Sequence, residues 1–315
     1  MTIDEVIKLV PHSNDLAVDI ATGTPLDVRK FSVAQAMSEL FRIEIVAVSR
    51  DLDVDLDGAI GLEASFAITQ ATEVERWSGI CLELEQIRVD AAGLATYRLL
   101  IVPTLWKLTQ RTNYRIFQFV SELDIVKKLL GEWGIAFESR ADGGRHKPRK
   151  YRVQYGESDF DFVARMLEDA GISFYFEAGD GGSVLVLDDA PETREVTEAG
   201  VRFHDEPGVT DARFATRLAA RSRLRPGAMT IGDVDYRLPS TKQPRLGAFA
   251  GLPQESMLEQ FDFEPGAFLY QGAGGGSTPF ADDRGASRTD EGAGKQKVGD
   301  RLAGHRNDAR VLSFE

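Results

Sequence analysis

Three aspartates and a glycine between residues 53 and 58 have the spacing of a calcium-binding loop. The segment Asp53-Val-Asp-Leu-Asp-Gly58 places acids at loop positions one, three and five and glycine at position six, as in an EF-hand. Position twelve, where an EF-hand supplies a bidentate glutamate, is Ala64, and no flanking helices are visible. The favoured interpretation is an acidic loop that buries Leu56, Ile60 and Leu62, and no metal is assigned.

A second acidic group, Glu157, Asp159 and Asp161, could supply the two carboxylates that glycoside hydrolysis requires. Their spacing places them on the first turn of a predicted helix. Negative charge is favourable there against the helix dipole, and Asp161 can complete a cap. Stability therefore accounts for these residues without a substrate, and no catalytic residue is assigned.

Cysteine and histidine are too sparse to indicate a reactive centre. Cys81 is the only cysteine, which excludes an intrachain disulfide, and its position between Ile80 and Leu82 in a strand pattern favours a core residue over a nucleophile. The four histidines lie far apart in the sequence: His12, His146, His204 and His305. Because the sequence also lacks a nucleophile elbow, a zinc-binding helix motif and a phosphate-binding glycine loop, we predict no enzyme activity and no cofactor.

A basic segment from residue 140 to residue 152 contains six arginines or lysines and one aspartate. It is interpreted either as a solvated hairpin that leads into a strand or as a contact with an acidic partner surface. Nucleic acid is disfavoured because aromatic residues are not interleaved with the charges and the chain has a net charge of −13. The candidate partner-contact residues are Arg145, Lys147, Arg149 and Lys150.

The elements that position these residues are clearest after residue 150. Residues 151–155 alternate between apolar and polar side chains, which predicts a half-buried strand. Ser158 and Asp161 form a capping-box pair at the start of a predicted helix. Gly171 supplies the left-handed stop, and residues 172–176 form an aromatic-rich strand. The pattern predicts a compact β-α-β unit.

The same unit occurs once before, between Phe117 and Phe137, at the offset that separates Ser121 from Ser158. The equivalent pairs include Ser121 and Ser158, Asp124 and Asp161, Leu130 and Leu167, and Gly134 and Gly171. A solenoid needs about three or more repeats to bury its faces. Two copies therefore predict a duplicated unit inside one domain.

The rest of the sequence indicates β structure. Alternating patterns predict strands near residues 16–20, 41–47, 65–69, 78–89 and 96–102, and closure of such strands into an antiparallel barrel or sandwich would hide their edges. Further strands are predicted near residues 201–204, 230–234 and 259–269. Residues 271–300 are poor in large apolar side chains, so we expect a mobile loop there.

These patterns predict a mixed β and α+β fold, in which antiparallel β-barrel domains are joined by an α/β region with a duplicated β-α-β unit. The predicted domains are a first barrel at 1–105, the α/β region at 106–195 and a second barrel-like domain at 196–315. The first thirty residues show no secretory signal pattern, and no apolar run approaches the ~20 residues of a membrane-spanning helix.

Two motifs, in this order and at this spacing, resemble the VgrG family of type VI secretion spike proteins. The N-terminal region of that family is similar to the hub protein of contractile phage tails. The motifs are Arg111-Thr-Asn-Tyr-Arg-Ile-Phe-Gln118 with Ser121, Asp124 and Ile125, and Val153-Gln-Tyr-Gly-Glu-Ser-Asp-Phe-Asp-Phe162 with Arg165, Leu167, Gly171 and Ile172. A looser likeness runs from about residue 15 to about residue 310.

The resemblance implies a phage tail hub-like fold and, in the full-length protein, a homotrimer whose base docks on the hexameric Hcp tube. It also implies effector and tip-capping proteins as partners, and cytoplasmic assembly followed by export into target cells or the medium without a signal peptide. Compared with the family, the chain stops at Glu315. We therefore expect an incomplete second barrel and no OB-like domain or β-helical needle. The alternatives are a prophage tail hub or baseplate protein and, less favoured, a spike-linked hydrolase effector.

Overall fold

The structure of the chain is a computed structural model. It describes residues 14–70, 73–91, 93–179, 181–194, 202–203, 214–215, 217–234, 239–240, 243–271 and 287–314.

The first part of the chain forms one six-stranded antiparallel sheet. Its strands are β1 (Asn14–Ile20), β2 (Asp27–Ala34), β3 (Arg42–Ser49), β4 (Glu63–Gln70), β5 (Glu73–Val89) and β6 (Ala95–Val102). Their order is β1-β4-β5-β6-β3-β2. The two edge strands, β1 and β2, are consecutive in the chain and approach each other. The sheet therefore curls into a barrel in which no hydrogen-bonded ladder joins β1 to β2.

Five of these strands were predicted, and β2 was missed. In β2 the burial pattern is almost wholly exposed, with Val28 as its buried side chain. The apolar alternation that marks a half-buried strand is therefore absent from this segment. Pairing with β3 from Val33 opposite Ile43 to Asp27 opposite Val48 holds the strand in place instead.

The α/β region contains both copies of the predicted unit. Its elements are β7 (Thr112–Val120), α1 (Glu122–Glu132), β8 (Phe137–Ser139), β9 (Arg149–Ser158), α2 (Asp159–Ala170), β10 (Ser173–Gly179) and β11 (Gly182–Asp188). The first strands of the two units, β7 and β9, pair antiparallel. The last strands, β8 and β10, both flank β11. Equivalent strands therefore occupy equivalent places, as a twofold relation between the units requires.

Both predicted helix starts are confirmed. The Ser121 hydroxyl accepts a hydrogen bond from the Asp124 amide at 3.1 Å, and the Ser158 hydroxyl accepts one from the Asp161 amide at 3.0 Å. Each serine has an extended backbone and satisfies a donor that the first helical turn leaves free. Gly171 ends α2 with φ 66°, as predicted.

The described residues of the C-terminal part form short strands and one α-helix. These are β12 (Arg202–Phe203), β13 (Phe214–Ala215), β14 (Leu218–Ser222), β15 (Ala228–Gly232), β16 (Arg245–Phe249), β17 (Glu259–Phe263), β18 (Leu269–Gln271), β19 (Ser287–Thr289), α3 (Glu291–His305) and β20 (Arg310–Phe314). The sheets are β12-β13, β14-β20, β16-β15-β17 and β19-β18-β9-β7. Because β18 pairs with β9, this part of the chain continues a sheet of the α/β region.

The predicted mobile loop at 271–300 is wrong for its described second half, which contains β19 and most of α3; residues 272–286 lie outside the described residues. Helix α3 forms despite its few large apolar side chains because Val298 and Leu302 are buried. Gly294 also lets the helix backbone approach the sheet closely, since a Cβ there would lie 2.4 Å from a leucine side chain of β16.

One hydrophobic core spans the six-stranded sheet and helices α1 and α2. The rings of Phe41 and Phe176 meet edge to face with centroids 5.0 Å apart, and the Ser38 amide donates to the Phe174 carbonyl at 2.7 Å. A smaller core lies under α3. The predicted fold class is confirmed, and the domain boundaries near 105 and 195 remain a prediction.

Candidate functional site

Two reciprocal ion pairs join the duplicated units. Arg115 of β7 donates to Asp159, the first residue of α2, with Nη2 3.2 Å from Oδ1. Arg152 of β9 donates to Glu122, the first residue of α1, with Nε 2.9 Å from Oε1. The two arginines are related by the same sequence offset as the two acids. Each unit therefore uses its strand to hold the helix of the other unit.

The same arginines also reach the far ends of the helices. Arg115 Nη1 lies 2.7 Å from Glu132 Oε2, and Arg152 Nη2 lies 3.6 Å from Asp169 Oδ2. Glu132 and Asp169 are equivalent at the same offset. Each guanidinium thus bridges the start of one helix and the end of the other, where it offsets the negative dipole end.

Asp159 is the most enclosed carboxylate of this network, with no exposed surface. It accepts hydrogen bonds from Arg111 Nε at 2.6 Å, Gln154 Nε2 at 2.8 Å and Trp133 Nε1 at 3.0 Å. Burial acts to raise the pKa of Asp159, but the bonds from Gln154, Trp133 and Arg111 outweigh it, so the pKa lies below its usual value. The carboxylate stays ionised and saturated with donors, which suits a structural role.

The other two acids of the predicted carboxylate group also have partners within the chain. Glu157 lies in β9, not on the first helical turn as predicted, because Ser158 is still extended and α2 begins after it. Its Oε1 lies 2.5 Å from Arg165 Nη2. Asp161 accepts a hydrogen bond from the Ser158 hydroxyl at 2.7 Å. The group is therefore divided among three separate contacts.

The acidic loop at 53–58 forms a turn in which Asp55 Oδ1 accepts from the Gly58 amide at 2.9 Å. Within the described residues, no three His, Cys, Asp or Glu side chains come close enough to hold a metal ion. The prediction that the larger apolar side chains of this loop are buried was wrong. Val54 and Ala59 are the loop residues that pack into the core. The larger apolar side chains of the loop point outward: Leu56, Ile60 and Leu62.

Cys81 is a core residue, as predicted. Its side chain is fully buried in β5, and burial raises the pKa of the thiol to about 11, so the nucleophilic thiolate is scarce at neutral pH. His146 is buried with Nε2 3.3 Å from Asp189 Oδ2, and His305 ends α3. His12 and His204 lie outside the described residues.

The basic segment leads into β9 through a single 3-10 turn, Gly143–Arg145, and not through a hairpin. Arg145 Nη1 lies 3.3 Å from Asp189 Oδ2, and Lys147 pairs with Asp290, the N-cap of α3. Both basic side chains are more than a third exposed. These two residues therefore connect the α/β region to neighbouring acids while remaining accessible from solvent.

The other two candidate contact residues lie deeper. Arg149 is buried, donates to the Gly266 carbonyl at 2.9 Å and covers the Tyr270 ring at 4.1 Å. Lys150 is half-buried. Arg149 thus fastens β9 to the C-terminal part of the chain, and the partner contact of the segment as a whole remains a prediction.

The network continues from Asp169 into α3, which sequence reasoning missed. Buried Lys297 places Nζ 2.6 Å from Glu264 Oε1, and Arg301 Nη2 lies 3.1 Å from Asp169 Oδ1. Burial lowers the pKa of Lys297, against the opposing effect of Asp169 and Glu264. Lys297 and Arg301 share one helical face at i, i+4 spacing, which was the available sequence signal.

Across the described residues, no helix has both the length and the apolar character needed to cross a membrane.

The ion pairs and the shared core make the duplicated unit the structural centre of the chain. It contacts the six-stranded sheet on one side and α3 on another. This arrangement can fix the relative orientation of the surrounding sheets, which is a mechanical role.

Comparison with known proteins matches residues 34–315 to the phage tail baseplate hub (GPD) family. The Pseudomonas aeruginosa type VI secretion spike protein VgrG4b is 33% identical over 254 residues, which cover 78% of this chain and 30% of that protein. VgrG2a of the same organism is 28% identical over 293 residues, covering 91% and 32%. The chain spans about a third of the length of the curated relatives it matches.

Solved structures with a similar fold come from both secretion systems and phage tails. An Escherichia coli component of the type VI secretion system has a TM-score of 0.56 at 22% identity, covering 66% of this chain and 56% of that chain. A tail protein from Neisseria meningitidis has a TM-score of 0.61 at 14% identity, covering 96% and 80%. These likenesses concern the fold. Because the family match runs from residue 34 to residue 315, the chain belongs to the phage tail baseplate hub family.

Proposed function

We propose that the chain is the hub portion of a type VI secretion spike and that its role is structural. The observation that carries this proposal is the hub family match from residue 34 to residue 315, which includes most of the six-stranded sheet and all of the duplicated unit. The similarity to spike proteins of the VgrG family supports the secretion system as the setting.

In this proposal three copies surround a common axis, and their base docks on a ring of the Hcp tube. A first barrel at 1–105 and a barrel-like part at 196–315 form the base, and the α/β region at 106–195 holds them in a fixed orientation. The buried ion pairs of Arg115 and Arg152 support this, because they join elements of the region that are distant in sequence.

The basic segment supplies a surface for an acidic partner. Arg145 and Lys147 are the accessible members, and Lys150 lies beside them in the chain. Arg149 contributes indirectly by fastening β9 in place. Effector and tip-capping proteins are further partners in this proposal, and assembly takes place in the cytoplasm before export into a target cell.

A structural role rather than hydrolysis is supported by the chemistry of the acidic residues. Asp159 is saturated with hydrogen-bond donors, and its pKa is held below the usual value. A general acid or base for catalysis near neutral pH needs a pKa near the working pH. The chain is therefore expected to have no glycosidase or peptidase activity of its own.

The test combines sedimentation of the chain with a pull-down on assembled Hcp rings. We expect a trimer that is retained on the rings. The double change Arg145→Ala and Lys147→Ala should weaken retention and reduce its salt dependence. Lys128→Ala serves as the control, because Lys128 is exposed and lies outside both the base and the basic segment. A monomer that ignores the rings and cleaves cell-wall glycan or peptide would overturn the proposal and favour a hydrolase effector.

A prophage tail hub is the second candidate. The fold similarity to the Neisseria meningitidis tail protein, which covers 96% of this chain, supports this candidate. The same pull-down separates the two candidates if the rings of a phage tail tube protein are offered beside Hcp rings. Retention on the phage rings alone would select the prophage alternative.

A further inference from the structure

The outer surface of strands β7 and β9 is an uncharged aromatic face. Paired positions across the two strands are Tyr114 with Tyr155, Ile116 with Val153, and Gln118 with Tyr151. We call these six residues the tyrosine face. Its tyrosines and isoleucine are exposed by 58 to 79%. The Tyr114 and Tyr155 rings meet edge to face at 5.2 Å.

The reverse side of the same strands is already buried. Phe117 of β7 stacks on Phe162 of α2 with ring centroids 5.6 Å apart. The tyrosine face is therefore the free side of a two-sided sheet. In a chain with 28% charged residues, a face with three tyrosines and no charge has the composition of a protein interface, where aromatic residues are enriched and charged ones depleted.

A second apolar face covers the sheet β16-β15-β17. Its three aromatic residues, Phe249, Phe261 and Phe263, are exposed by 52 to 80%, and we call them the phenylalanine face. Two of the rings lie over a glycine, since a Cβ on Gly232 would be 3.2 Å from the Phe261 ring and 3.5 Å from the Phe263 ring. The reverse side of this sheet packs against α3 through the smaller core.

Charged side chains, which the tyrosine face lacks, lie on the same side of the sheet as the phenylalanine face. Arg245 lies 5.6 Å from the Phe261 ring centroid, and Glu259 accepts a hydrogen bond from the Thr230 hydroxyl at 2.6 Å. Buried tyrosine hydroxyls usually need a hydrogen-bond partner. A guanidinium and a carboxylate on one face therefore complement the hydroxyls on the other.

We propose that the tyrosine face of one copy of the chain packs on the phenylalanine face of the next copy. Helices α2 and α3 lie between the two sheets and are joined by Arg301 and Asp169, so the faces are separate surfaces of one molecule. A closed ring of three needs two different surfaces on each chain, one for each neighbour. This inference rests on the proposed trimer and assigns its interface.

The exposed area is adequate for such a contact. A buried aromatic side chain covers about 150–250 Å², so the exposed fractions of the six rings amount to roughly 800 Å². The flanking aliphatic side chains, Ile116 and Val153 among them, bring the total towards the ~1,200 Å² at which specific interfaces begin. The contact would have a dry aromatic centre with its polar groups at defined positions.

The experiment places one charge on each face in separate proteins. Ile116→Arg blocks the tyrosine face and Phe261→Arg blocks the phenylalanine face, and Leu312→Arg charges an exposed apolar position outside both faces. In analytical ultracentrifugation we expect each face variant to lose the trimer and the control to keep it. Circular dichroism melting curves verify that each variant is folded.

Mixing the two face variants gives the sharper result. Together they retain one intact tyrosine face and one intact phenylalanine face that can meet, so the mixture should form a heterodimer that cannot close into a ring. A trimer that survives in either face variant would overturn this inference and leave the trimeric hub intact. An unsubstituted chain that stays monomeric at every concentration would overturn both the inference and the proposed trimer.

Discussion

Phe119 and Gly156 occupy equivalent positions in the two β-α-β units, and both have a left-handed backbone, with φ 55° and 65°. Each lies two residues before the serine that caps the following helix. Glycine adopts this conformation without steric cost, whereas other residues lose about 1–2 kcal/mol. Because both units share the conformation, the end of each strand before its helix imposes it, and Phe119 is held there against its own preference.

This relation predicts an unusual order of stability at residue 119. Phe119→Ala and Phe119→Gly both remove the ring, but only glycine relieves the left-handed strain, so the glycine variant should be the more stable by about 1 kcal/mol. Urea unfolding of the two variants measures the difference. Equal midpoints would show that the backbone relaxes when the ring is removed.

The reverse change at residue 156 is the companion measurement. Gly156→Ala should lower the free energy of unfolding by about 1 kcal/mol or more. The added Cβ would also lie 2.8 Å from the Tyr114 hydroxyl, so that side chain must shift. An alanine variant as stable as the parent would contradict the assignment of strain to this turn.

The serine caps give a second prediction. Ser158→Ala removes the hydroxyl that accepts from the Asp161 amide and should cost about 1 kcal/mol, whereas Ser158→Gly should cost only a few tenths. Ser121→Ala should behave like Ser158→Ala because the geometry is the same. Thermal denaturation of the variants checks this, and an unchanged midpoint for Ser158→Ala would refute the cap.

These caps could be predicted from sequence because they depend on residues three apart. The duplicated helices, their glycine stop and most strands of the first sheet were found because they too depend on patterns among residues close together in the sequence. Strand β2 was not predicted, because Val28 is its single buried residue and its side chains do not alternate between buried and exposed. Helix α3 was not predicted either. It lacks the usual apolar stripe, and the buried side chains of Val298 and Leu302 and the closely packed Gly294 hold it against the sheet instead.

The reciprocal ion pairs show a different limit of prediction from the sequence. Arg115 and Arg152 stand at the repeat offset in the sequence, as do Glu122 and Asp159. The partners cross between units because β7 pairs with β9, and nothing local specifies that pairing. Repeat alignment could have identified all four residues as equivalent pairs, but only the sheet topology determines which arginine meets which acid.

The buried network makes a third prediction. Asp159→Asn keeps the volume but leaves Arg111 and Arg115 facing a neutral amide, so it should lower the free energy of unfolding by about 3 kcal/mol. As a control, Glu44 belongs to an ion pair with both side chains more than half exposed, and Glu44→Gln should change stability by less than about 1 kcal/mol. Urea titrations compare the two, and similar losses would contradict the special role of Asp159.

The fourth prediction concerns stability in acid and rests on Asp188, a fully buried carboxylate at the end of β11. It accepts hydrogen bonds from Arg194 Nη2 at 2.7 Å and Nε at 2.8 Å. These bonds lower its pKa from 3.8 to about 2, against the opposing effect of burial and with help from the Ala190 amide and the Tyr175 hydroxyl. The unfolded chain therefore binds the proton more readily than the folded chain.

A carboxylate with a depressed folded pKa stabilises the protein above its unfolded pKa, and this contribution is lost as the pH falls through the folded pKa. For Asp188 the loss should occur between about pH 4 and about pH 2 and amount to about 1–2 kcal/mol, since Arg194 is partly exposed and screened by solvent. Asp188→Asn should lack this contribution at neutral pH, so its deficit relative to the parent should shrink as the solution is acidified. Arg194→Met should reduce the same pH dependence by removing the donor. Urea unfolding across this pH range measures both. If the deficit of Asp188→Asn stays constant from neutral pH to pH 2, ionisation of Asp188 does not stabilise the fold, and if Arg194→Met keeps the full pH dependence, the carboxylate does not depend on Arg194.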